Sequence, residues 1–305
     1  MTDAEAAREI HTRGLVMLLV VVLAWGTCWP VNKALLDHMP PMWSLALRSL
    51  VSAAALFAIS IGATGLKLPT RQDAPVLVSM VLLHMVGFAV LATLALQFVQ
   101  AGGSAVQAYT SVLWAPLFAA LVLGERVSPR RAVGLGLGIL GLAVIFNPLT
   151  FDWRDGGAVF GNAALLAGAV LWGISIVHNR AHTWRATAFQ LAPWQALLAS
   201  TILVGIAAAA EGVPAIDWSP RAIWLLLFAG VPGTALAYWA VAVASSSLPA
   251  ATTSVGLLGT PAVSVAMSML MLGERPTVPL IAALVLILAG VIVGISDATR
   301  PGARH

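Results

Sequence analysis

Long apolar runs, one after another, leave this chain few ways to fold. Ten stretches, roughly 14–36, 42–63, 75–98, 101–123, 130–147, 157–178, 187–210, 220–244, 249–272 and 278–296, are each about the length of helix that crosses some 30 Å of hydrocarbon. Inside lipid a backbone amide has no water to bond, and a helix satisfies its own amides locally. A soluble fold is excluded by composition: 60% of the 305 residues are hydrophobic, 9% are charged and the mean hydropathy is +0.93. That balance supplies too little polar surface for water. The expectation is an all-α membrane protein of ten transmembrane helices. The breaks, among them "DHMPP", "TGLKLPTRQD", "NPLTFDWRDGG" and "EGVPAIDWSP", are rich in Pro, Gly and charge and too short for a soluble domain. Arg8 and Arg13 before the first run make it a signal anchor, because nine more runs follow.

The pI of 10.0 reads as topology. With the N-terminus inside, the cytoplasmic segments hold Arg8, Arg13, Lys67, Arg71, Arg126, Arg130, Arg131, Arg180, Arg185, Arg300 and Arg304, while the outer loops hold Arg154, Arg221 and Arg275. Positive charge stays on the cytoplasmic side, so both tails, 1–13 and 297–305, are expected inside a bacterial-type inner (plasma) membrane. Scattered cations of this kind are no nucleic-acid surface. One cysteine, Cys28, permits no intrachain disulfide.

The chain also repeats itself. "AWGTCWPVNK" in the first run is answered by "WGISIVHNR" in the sixth: Trp25-Gly26 matches Trp172-Gly173 and Asn32 matches Asn179, at an offset of 147. "LGER" stands at Leu123–Arg126 and again at Leu272–Arg275, an offset of 149. Each half, 14–147 and 157–296, holds an odd number of runs and must cross in the opposite sense to its copy. Two inverted five-helix repeats around a central cavity follow, an arrangement typical of secondary transporters with cargo held near the midplane.

"AWGTCWPVNK", the "LALRSL" of the second run and the paired "LGER" endings resemble the EamA family of the drug/metabolite transporter superfamily, over nearly the whole chain. The resemblance implies ten helices around a cavity open alternately to either side, and export of amino acids or similar small metabolites. "WGISIVHNR" lacks the second Trp and the Pro of its counterpart, so the cavity should be asymmetric.

The candidate cavity residues are Trp25, Trp29, Asn32, Arg48, His84, Gln107, Ser111, Trp114, Trp172, Trp194, Trp239 and Thr260, with runs one, three, four, six, eight and nine bordering the cavity. Gln100, Ser104, Gln107, Ser111 and Trp114 form one polar helix face, which either bonds between helices or lines water; Thr253, Gly256, Thr260 and Ser264 answer it in the second half. His84 is a midplane histidine, either bonded to a helix carbonyl or acting on cargo or protons. The Trp residues are packing or membrane-belt groups, or a floor for amphipathic cargo. Arg48 pairs with helix carbonyls or holds a carboxylate. Lys33 and Arg180 read as cations snorkelling at helix ends. No acid lies deep in a run, so carboxylate-driven proton exchange is not expected, and a facilitator is the preferred reading.

"GLGILG" at 136–141 fails as a nucleotide loop because no strand precedes it; Gly134, Gly138, Gly290 and Gly294 read as helix-packing sites, within the scaffold or between copies. His178 and His182 have no acidic or Cys partner in sequence to complete a metal site, and Glu125 and Glu274 read as helix-end groups. Neither cofactor nor metal is expected, and no nucleophile–base pair marks an enzyme. The expected partners are a small-molecule cargo and the lipid bilayer, with oligomeric state open. A flippase for a lipid or lipid-linked sugar is the alternative on the same fold.

Overall fold

A computed structural model describes residues 3–63, 65–124, 128–147, 151–183, 185 and 188–295. Among them every regular element is helical. In chain order these are α1 (Asp3–Leu35), α2 (Pro41–Ala63), α3 (Ala74–Ser79), a first π-helical segment (Met80–Phe88), α4 (Ala89–Ala95), α5 (Ala101–Ala108), α6 (Ser111–Leu123) and α7 (Pro129–Ile145). There follow α8 (Gly156–Ala181), α9 (Ala188–Glu211), α10 (Pro220–Gly230), a second π-helical segment (Val231–Leu236), α11 (Ala237–Ser247), α12 (Ala250–Leu257), α13 (Gly259–Leu272) and α14 (Val278–Ile295).

Among the described residues eight helical stretches are long and apolar enough to cross a membrane, the last of them Thr252–Leu272. The expected fifth and tenth runs are helices of 17 and 18 residues, α7 and α14. The ends are set locally. Asp155 caps α8 by accepting from the Ala158 amide at 3.0 Å, and Ser219 caps α10 by accepting from Ala222. The two "LG" pairs end α6 and α13 alike, with Gly124 at φ 67° and Gly273 at φ 66°, a left-handed C-terminal turn that a side chain would strain. That is the physical content of the repeated motif. Glu125 and Arg126, the tail 297–305 and its arginines lie outside the described residues.

Packing follows the repeat. α2 lies on α9 and α7 on α14, each helix against its own counterpart; α1 lies on α13 as α8 lies on α6, α1 meets α11 as α8 meets α4, and α1 meets the second π segment as α8 meets the first. Even single contacts recur. A Cβ on Gly26 would stand 3.1 Å from the Thr260 carbonyl oxygen, and one on Gly173 would stand 3.1 Å from that of Ser111. The α7–α14 seam is built on glycines too, since a Cβ on Gly134 would collide with the Gly290 carbonyl. Those glycines therefore work within one chain.

The two halves also share their irregularities. The π segments occupy corresponding places, with His84 in the first and its counterpart Gly233 in the second. The fourth run breaks at Tyr109–Thr110, between α5 and α6, and the ninth breaks at Leu258, between α12 and α13. A π turn widens the helix and frees backbone geometry, which is why such turns gather at working sites.

Candidate functional site

The first π segment sets His84 and Phe88 against α8. The His84 ring stacks on Trp172 with centroids 4.8 Å apart and planes 12° apart, and on Phe88 at 5.8 Å and 29°. Phe88 and Trp172 close the triangle at 5.0 Å. Trp29 of α1 meets Phe88 edge-on at 6.4 Å, and Tyr109 meets Trp172 edge-on at 6.1 Å. Five rings from four runs thus form one wall. Trp29, His84 and Trp172 were expected together. Phe88 and Tyr109 were not, although Phe88 lies four residues beyond His84. Tyr109 falls off the polar face of its run and reaches the wall at the helix break.

Beside this wall lies a set of buried polar groups. Gln107 donates from Nε2 to Asn162 Oδ1 at 2.6 Å, and Asn162 donates on to the Ala158 carbonyl at 2.7 Å. The Gln107 Oε1 atom has no protein partner; neither do Asn32 Oδ1, His84 Nδ1, Ser111 Oγ, Trp114 Nε1, Thr260 Oγ1 or Ser264 Oγ. The Tyr109 hydroxyl approaches Thr260, short of hydrogen-bond geometry for that threonine. Each such atom costs about 1–3 kcal/mol when nothing answers it. Ser52, Ser60 and Ser268 carry the other hydroxyls of this kind among the described residues. Ser104 is different, because its hydroxyl bonds the Gln100 carbonyl at 2.8 Å. Asn162 was missed: a lone Asn near the start of an apolar run gives no periodic signal.

Arg48 and Trp25 belong to a second group. The guanidinium is within reach of the Cys28 sulfur and near Tyr238. Trp25 stands edge-on to Tyr238 at 6.1 Å. Trp239 packs with Phe189, Ala192 and Ala235 in an apolar cluster. Trp194 stands apart from both groups: its indole N–H donates to the Lys67 carbonyl at 2.8 Å and its ring meets Phe57. Hydrogen bonding there accounts for the tryptophan.

The helix ends are tied by acids. Lys33 does not simply snorkel; it donates to the Val99 carbonyl and lies 3.6 Å from Glu274. Glu274 in turn accepts from the Ala101 and Gly102 amides at 2.7 and 3.1 Å, which caps α5. Glu211 does the same for α2 through the Met42 and Trp43 amides. His182 lies 3.0 Å from Asp73 at the start of α3. His38 lies 2.8 Å from Asp217, before α10. The His182 bond, then that of Thr70, holds the Asp73 carboxyl below its ordinary range; His38 and then Ser219 do so for Asp217. Asp73 is fully buried, whereas the Asp217 side chain is 58% exposed.

Comparison with known proteins agrees with this architecture. The sequence profile of the EamA-like transporter family matches residues 12–147 and again 159–295. The uncharacterized transporter YoaV of Bacillus subtilis (strain 168) is 25% identical over 276 residues, covering 90% of this chain and 94% of YoaV. A probable amino-acid metabolite efflux pump of Escherichia coli (strain K12) is 27% identical over 306 residues, covering 92% and 94%. A solved crystal structure shares the fold with a TM-score of 0.66 at 20% identity, covering 93% of this chain and 98% of its own.

Proposed function

Because the chain belongs to the EamA-like transporter family, a multi-pass membrane protein by its apolar helices, we propose that it exports amino acids or similar small amphipathic metabolites by alternating access. In this reading all ten runs cross. α7, at 17 residues, spans about 26 Å at 1.5 Å per residue, enough when flanking residues reach the interface. The halves 14–147 and 157–296 are inverted copies, both termini are cytoplasmic in the inner membrane, and the seam between the halves carries the cargo. The repeat-related helix contacts and the double family match support that arrangement.

One observation carries the functional reading. Asn32, His84, Gln107, Ser111, Trp114 and Thr260, all expected at the cavity from sequence, each hold a buried polar atom that no protein group answers. The Trp29–Phe88–His84–Trp172 wall offers flat apolar surface for hydrophobic or aromatic side chains, and π faces for an ammonium. The relative named as an amino-acid metabolite efflux pump supports this cargo class. No acid sits deep in a crossing helix, which supports facilitation down a cargo gradient over carboxylate-linked proton exchange.

Counterflow of radiolabelled amino acids in proteoliposomes tests it. Saturable exchange of hydrophobic or aromatic amino acids, insensitive to an imposed pH gradient, is expected. Folded protein that exchanges none of the twenty would remove the proposal.

A further inference from the structure

Arg48 is a permanent cation inside the bundle, eighth in α2 and about 10 Å from that helix's start. Among the described residues the ion pairs are Lys33–Glu274, His38–Asp217 and His182–Asp73; none engages Arg48. Lys33, the other cation set within an apolar run, is thereby answered by Glu274. Arg48 is left as a single positive charge among neutral groups, which is costly in a membrane unless an anion joins it.

Its surroundings are built tightly. Gly230 faces the Arg48 carbonyl, where a Cβ would stand at 3.1 Å, and a Cβ on Gly233 would stand 2.8 Å from Cys28 Sγ. Gly230, at the end of α10, lets that helix press on α2, and Gly233 lets the second π segment press on α1. Cys28 Sγ and the Tyr238 phenol lie within reach of the guanidinium. Asn32 donates from Nδ2 to the same sulfur at 3.6 Å, and its buried Oδ1 is left without a partner. A cation and a free acceptor thus gather at one sulfur. Such a pair matches in kind the carboxylate and the ammonium of one molecule. α1 links this spot to the aromatic wall, since Trp29 follows Cys28 directly and meets Phe88.

We propose that Arg48 anchors the carboxylate of the transported molecule, with Asn32 Oδ1 accepting from the adjacent amine and the Trp29–His84–Trp172 wall taking the side chain. One unanswered charge calls for one carboxylate, not a phosphate dianion. The inference rests on the transport reading and sharpens it: cargo is an α-amino acid with a free carboxylate.

The test uses wild type, Arg48→Gln and Arg48→Lys in proteoliposomes, with counterflow of phenylalanine and of phenylalaninamide. Wild type should favour the acid by about tenfold or more, the scale of a charge-assisted contact. Arg48→Gln should bring the acid-to-amide ratio to about one. Arg48→Lys, which keeps the charge, should retain the preference with a raised KM, and it decides the matter if the Gln variant does not fold. Equal carriage of acid and amide by wild type, or an unchanged ratio in folded Arg48→Gln, overturns the anchor alone. Folded wild type that carries neither compound, nor any other amino acid, overturns the transport reading and the anchor with it.

Discussion

The two π segments occupy corresponding places and do opposite things. The first presents His84, whose ring stacks on Trp172 and keeps a buried nitrogen without a partner. The second presents Gly233, which brings the backbone hard against Cys28 and presents no side chain at all. Each half carries one widened turn at a matching position, one a surface and the other a clamp. In the proposed transporter that inequality separates a polar end of the site from an aromatic one.

That contrast can be broken. Gly233→His would give the second segment the side chain of the first, with its Cβ 2.8 Å from Cys28 Sγ and 3.1 Å from the Phe228 carbonyl. Overpacking of this kind should cost about 3 kcal/mol or more, seen as a much lower melting temperature in detergent. Melting at the wild-type temperature would mean that the clamp does not exist. The reciprocal change, His84→Phe, keeps the stack on Trp172 and removes the unanswered nitrogen. Stability should hold or rise by about 1–3 kcal/mol while exchange falls, a split between fold and function. Full exchange by His84→Phe would strip the ring nitrogen of any part in binding.

The histidine–aspartate ties before the segments sharpen the comparison. Asp73, buried, leads into the first, and Asp217, largely exposed, leads toward the second. Because Asp73 is held below its ordinary value of 3.8 in the fold, the stability it contributes is complete above that value. It disappears as pH falls from 3.8 through the lower folded value. Wild type should accordingly show a fall in melting temperature over that interval, and Asp73→Asn should flatten it. Asp217→Asn should change the profile far less, since water already screens the exposed carboxylate. An equal effect of the two would contradict the difference in burial. Smallest of all, Trp194→Phe removes the bond to the Lys67 carbonyl for about 1 kcal/mol and leaves exchange intact, which marks where the aromatic wall stops.

Much of this was legible before any coordinates. Apolar length located the helices, the 147 and 149 offsets paired them, and the "LG" endings sit at the two left-handed turns. Six of the twelve candidate residues carry unanswered buried atoms. What escaped has a common cause. A period of 3.6 presumes a regular α-helix, so neither the π segments nor the break at Tyr109–Thr110 could be read from it. Pro232 hinted at the second π segment, since it lacks an amide to donate; the first carries no such mark. Lys33 looked like a snorkelling cation because its partner Glu274 is remote in sequence.

The amino-acid sequence determined the solvent and the duplicated plan, because lipid tolerates only self-satisfied backbone and because repeated residues repeat their local geometry. The tertiary structure decided which polar atoms stay unanswered. Hydrogen-bond satisfaction depends on which neighbour arrives from a distant segment: Gln107 finds Asn162 for one of its ends and nothing for the other. Only packing could leave Arg48 with no acid and Lys33 with one.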